Sequence, residues 1–157
     1  MKLPGVWNLV SFDLMLNGTS IMQPNGPNPL GKLVITAEGY LNALITAPET
    51  AIPLPDGTKW KDGSDAQLAA IARPVVAYCG NYNTSYDGEQ LVMMTMVDVA
   101  LDPSVIGKVQ RRHVSFVEED GKEYMIIRPQ GTQRSTLPVS QMSCNNSWAV
   151  ADLDDTG

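Results

Sequence analysis

One histidine and two cysteines are the whole stock of imidazole and thiolate metal ligands in this chain of 157 residues. His113, Cys79 and Cys144 stand far apart in sequence, without the close spacing that a zinc site needs, so no metal is expected. Two cysteines are also too few for a disulfide framework, and reduced thiols are the simplest reading. Basic charge is short as well, with 11 Lys and Arg against 17 Asp and Glu and a net charge of -6. Nucleic acid demands a basic footprint, so it is excluded as a partner. No apolar run approaches the ~20 residues that cross a bilayer. The opening MKLPGVWNLV has one lysine and no long apolar segment before a small-residue cleavage site, so a cytoplasmic location is expected. GxSxG, phosphate-loop and dinucleotide motifs are missing, which removes most hydrolase, kinase and dehydrogenase readings and implies no cofactor.

What the chain has is short apolar or alternating runs separated by turn signals. Val6 to Met15 ends at Asn17-Gly18, and the Pro/Gly/Asn-rich connector from Pro24 to Gly31 suits a loop. Leu33 to Ala37 and Tyr40 to Thr46 flank Glu38-Gly39, with Leu41, Ala43 and Ile45 on one face. Asn81 to Tyr86 and Gln90 to Leu101 flank Asp87-Gly88, and Lys108 to Glu118 and Glu123 to Arg128 flank Asp120-Gly121. From Pro129 the tail reads as loop until Ser147 to Leu153, a closing strand.

The one good helix signal runs from Ser64 to Gly80. Ser64 caps it, Asp65 suits its dipole, and Gly80 can close it. Pro74 removes a backbone donor there, which predicts a kink or two short helices meeting at Arg73. Strands in hairpin order with one kinked or split helix predict a mainly β fold, an antiparallel barrel of about eight strands in a single domain over 1–157. A chain of this length buries about 70% of its unfolded surface. A barrel of eight strands is wide enough to be filled by side chains or to hold one small ligand.

Gly5-Val6-Trp7 matches the GxW signature of lipocalins. Together with Gly26 to Leu33, Thr36 to Tyr40 and Ala77 to Tyr82, it resembles the lipocalin-like domain family over about Leu3 to Arg128. The resemblance implies a small calycin-type barrel of the kind found in bacteria and fungi, often beside secondary-metabolite pathways. The family pattern places a His-His pair, a Glu and a Trp around residues 95 to 105. Here those positions hold Thr95, Met96, Asp98 and Val105, while Pro103, Gly107 and Arg112 are kept. The acid is the one member of the set that survives, in shortened form.

Asp98 is the most informative side chain, a carboxylate inside the apolar run LVMMTMVDVAL. Strict alternation puts it on one face with Met94, Met96 and Ala100, and if that face lines the lumen, burial would raise its pKa and fit it for proton transfer. An ion pair with Arg112, or exposure where the strand frays, is the blander reading. His113 points away from Arg112, so one of the two faces inward. Tyr78 and Tyr82 could grip a ligand near the barrel mouth or pack the helix, and Tyr40 joins them as a ligand contact. Met93, Met94, Met96 and Met125 could line a cavity or simply fill the core. Trp7 is expected to plug the closed end, with Arg112 or Arg128 as candidates to cover its face.

Two functions follow. The first is a cofactor-free cyclase or isomerase acting on a bulky apolar metabolite, with Asp98, Arg112 and Tyr78 catalytic and Tyr82, Tyr40, Met94, Met96, Met125 and His113 binding. The second is a non-catalytic carrier or sensor of a hydrophobic small molecule in the same space. Homodimerisation stays open, and an acid isolated in the lumen is the feature that would favour the enzyme.

Overall fold

Turn chemistry sets the strand boundaries. The computed structural model describes residues 3–16, 19–130 and 145–152. β1 (Gly5–Leu16) pairs at its far end with the short β2 (Thr19–Met22), and Asn17-Gly18 between them lies outside the described residues. The connector after β2 is anchored by the buried Asn25, whose Nδ2 donates to the Pro74 carbonyl at 2.7 Å. β3 (Leu30–Ile35) and β4 (Tyr40–Thr46) reverse through Gly39 at φ 94°, a left-handed angle that glycine adopts without strain.

β5 (Val76–Asp87) turns into β6 (Gln90–Ala100) with Asp87 paired to Gln90, so the loop is Gly88-Glu89. Only Gly88 is left-handed, at φ 61°, which is the type II′ pattern. β7 (Val109–Glu119) meets β8 (Lys122–Pro129) through Asp120 and Gly121, both left-handed, the type I′ pattern. These choices match the right-handed twist of the strands they join.

All pairings are antiparallel, and the sheet closes on itself. β1 pairs with β3 on one side and with β9 (Asn145–Asp152) on the other, and β9 also pairs with β8. Eight strands therefore form the ring, and β2 is an extension of β1. The fold is the expected mainly β barrel, and the closing strand falls where the tail was read to hold one.

Alternation along the strands fills the middle of the ring. Leu33 and Ile35, Leu41, Ala43 and Ile45, Met93, Val114, and Met125 and Ile127 point inward around a fully buried Trp7. Each side chain of this size contributes roughly 1.5–3 kcal/mol on burial. Trp7 tilts against Phe116, with ring centroids 6.2 Å apart, so its aromatic neighbour is Phe116, not Arg112 or Arg128 over its face. Met125 and Met93 are core filler.

The helix departs from expectation. α1 (Asp65–Ala72) starts with the predicted cap, a full capping box in which Gln67 N donates to Ser64 Oγ and Ser64 N donates to Gln67 Oε1. It stops at Arg73, the residue before Pro74, and is neither kinked nor split. After Pro74 the β-branched pair Val75-Val76 leads directly into β5, whose residues 76–81 pair with β4. Gly80 is thus a mid-strand residue and no helix terminus.

Its reason is a β-bulge. Cys79 pairs with Val99 and Gly80 with Val97, leaving Asp98 as an extra residue on β6. A Cβ on Gly80 would lie 1.9 Å from the Met96 carbonyl oxygen, closer than any real contact.

Candidate functional site

The register of β6 before the bulge decides which way its notable side chains face. Before it, Met93, Thr95 and Val97 are buried and point into the ring, while Met96 is 47% exposed on the outside. Met94 pairs with Asn83 and Arg111, both exposed, and shares that outer face. Asp98, the extra residue, is outside as well, and the alternation reverses after it, so Val99 is exposed and Ala100 sits opposite the inward Tyr78. The lumen-facing placement of Asp98, Met94 and Met96 is therefore corrected. Of the expected face of Met94, Met96, Asp98 and Ala100, the inserted residue turns only Ala100 inward; the other three stay together on the outside.

On the outer wall Asp98 has partners. The Tyr40 hydroxyl donates to its carboxylate at 3.1 and 3.2 Å, and the Cys79 thiol lies 3.7 Å from Oδ1. Neither the ion pair with Arg112 nor an isolated buried acid describes it. Tyr40, counted among the ligand contacts, is on this outer wall too. Its phenol is held above the ordinary value near 10 by hydrogen bonding with Cys79, by lost solvation and by the Asp98 carboxylate. The folded chain thus keeps a proton that the unfolded chain releases, a stabilising effect complete below pH 10 and lost as pH rises through the raised value. Asp98→Asn should bring one tyrosine's titration down towards 10, read as the difference between the tyrosinate absorbance curves of the two proteins. Superimposable curves would remove Asp98 from this account.

Beside this cluster a shallow groove of about 210 Å³ runs along β4, β5 and the end of β6, bordered by Leu44, Cys79, Val99 and Leu101. His113 points outward, and its Nε2 is buried with no hydrogen-bond partner among the described residues. Arg112 is the inward member of that pair. Its guanidinium is held by Gln110 Oε1 at 3.0 Å and the Arg111 carbonyl at 3.1 Å. Tyr78 is packed against the core from β5, where burial raises its phenol pKa and the nearby Arg112 charge opposes the rise. Tyr82, four residues on, also faces inward, and its pKa is raised by burial and then by Glu38.

Tyr82 is the one predicted ligand contact that borders a second, larger opening. This opening, about 570 Å³, lies at the barrel end where the β3–β4, β5–β6 and β7–β8 hairpins turn. Tyr82, Thr84, Gln90, Leu91, Val114 and Phe116 form much of its wall, with Glu89 and the N-terminal Leu3-Pro4 beside them. Trp7 sits immediately behind Phe116, so the expected plug and the opening share one end of the ring. Tyr78, Arg112, Met125 and His113 do not border it. Sequence reading missed Thr84, Gln90 and Phe116, although Thr84 and Phe116 lie on the inward register of Tyr82 and Val114.

A family model of the lipocalin-like domain matches residues 4–145. The chain belongs to the lipocalin-like domain family. Its barrel is accordingly of the small-molecule-binding kind. No curated protein matches the chain. Among the described residues no helix of this lipocalin-like chain is long and apolar enough to cross a membrane, and no cluster of side chains could hold a metal ion.

Proposed function

We propose that this lipocalin-like chain is a non-catalytic carrier or sensor, which takes a small, partly apolar molecule into the cavity at the hairpin end of the barrel. The observation that carries the reading is the cavity itself. At about 570 Å³ it falls within the roughly 300–1,000 Å³ of small-molecule sites, and it combines an apolar wall of Leu91, Val114 and Phe116 with a few polar groups. The cyclase or isomerase reading depends on an acid in the lumen. With Asp98 on the outer wall, that chemistry would fall to Tyr78 and Arg112, and neither borders the cavity.

Thr84 offers the cleanest test, because it is exposed and lines the opening. Thr84→Trp should fill the cavity, weakening an uncharged fluorescent dye such as phenylnaphthylamine by about tenfold, or 1.4 kcal/mol, with no loss of thermal stability. Undiminished dye affinity in a natively folded Thr84→Trp protein would reject the cavity as the binding place.

A further inference from the structure

Two side chains of the cavity wall, Gln90 and Tyr82, have committed their hydrogen-bond donors. Gln90 Nε2 donates to the Leu91 carbonyl at 3.1 Å and to the Val114 carbonyl at 2.8 Å, using both amide protons. The Tyr82 hydroxyl donates to the Thr36 carbonyl at 2.7 Å. Behind the wall, the Trp7 indole N–H donates to the Leu3 carbonyl at 3.2 Å. What these groups still offer is acceptor capacity, at Gln90 Oε1 and on the Tyr82 oxygen. Among the described residues of the lining, Glu89 is the one acidic side chain; it is exposed, and none of the others is lysine or arginine. Rotatable hydroxyls on Thr84, Ser115 and the exposed Tyr86 can serve either role.

We infer that this cavity selects an amphiphile with an apolar ring or chain and a hydrogen-bond-donating head, an amine above all, and rejects fatty acids and other carboxylates. The inference rests on the binding reading above and names its ligand class. An ammonium brings three donors and no acceptor, matching Glu89, Gln90 Oε1 and the Tyr82 oxygen. A carboxylate brings acceptors only, so it would face like charge at Glu89 and leave lone pairs opposed to lone pairs. The chain's net charge of -6 acts in the same direction from a distance.

Three probes that share one naphthalene separate these contributions: naphthylmethylamine, naphthalenemethanol and naphthaleneacetate, each titrated calorimetrically into the intact protein at neutral pH. The ammonium should bind about tenfold tighter than the carboxylate, with the alcohol between them. Glu89→Gln should bring the ammonium to within about threefold of the alcohol, weakening the ammonium more than the alcohol. Equal or tighter binding of the carboxylate overturns the inference. So does an ammonium advantage that survives Glu89→Gln, since it would then come from the field of the whole molecule. The alcohol isolates the two ideas: if it binds and Thr84→Trp blocks it, the cavity stands whatever the head-group order; if none of the three binds, cavity and ligand class fail together.

Discussion

Trp7→Ala should cost about 3–5 kcal/mol of folding stability, the range for removing a large aromatic from a packed core. The indole is 0% exposed, packs at a tilt against Phe116, and ties the N-terminal segment down through its bond to the Leu3 carbonyl. Its loss removes apolar burial, an aromatic contact and an anchored loop together, and β1, β8 and β9 are too well paired to collapse into the space. In a chain of this size about 1 kcal/mol corresponds to roughly 2–4 °C. A fall of around 10 °C or more in the calorimetric midpoint is therefore expected. A change of only a degree or two would mean that the core does not depend on this ring. Because Phe116 lines the opening, the same substitution should also weaken dye binding, whereas Thr84→Trp affects binding alone.

Gly80→Ala should be nearly as damaging, although it adds a single methyl group. Overpacking usually costs about 1–3 kcal/mol because flexible side chains give way. Here the added carbon meets the Met96 carbonyl oxygen at 1.9 Å and the Val97 Cα at 3.0 Å, both main chain. Relief requires prising β5 from β6 at the bulge, and so losing ladder hydrogen bonds and the placement of Asp98. We expect at least about 3 kcal/mol, read as a lower urea midpoint, together with faster amide exchange in residues 78–82 and 96–99. Wild-type stability in this variant would refute the close approach of the two strands.

The contrast between these sites explains what the sequence disclosed. Asp120-Gly121, Gly88 and Gly39 are local signals, since a turn type depends on the residues within it, and each hairpin appeared where they stand. Ser64 and Gln67 likewise define the helix start by their own bonds. The stop at Arg73 was foreshadowed by Pro74, yet the β-strand beyond it depended on pairing with Tyr40 to Ile45, a non-local partner. The bulge was the least legible feature. Nothing in LVMMTMVDVAL marks the inserted residue, and the glycine that permits it lies on the neighbouring strand. The insertion changed the face of Val99 and Ala100 alone; Asp98 lies on the outer wall because the whole Met94, Met96 and Asp98 face of the strand is turned outward, and with that face went the centre of the enzyme reading. The register of Tyr82, which lies beyond the bulge, was unaffected and led towards the cavity.

Closure of the ring through β1 and β9 has a consequence for how the molecule is made. β1 finds its last neighbour, β9, only after all the intervening strands have been synthesised. Until then β1 has one flank open, and its apolar residues wait for a seal that no early segment supplies. Pairings so distant along the chain are slow to form because their loop entropy is lost before any contact is gained. The barrel should therefore complete itself after translation, with its hairpins already formed and the joining of its two ends as the last step.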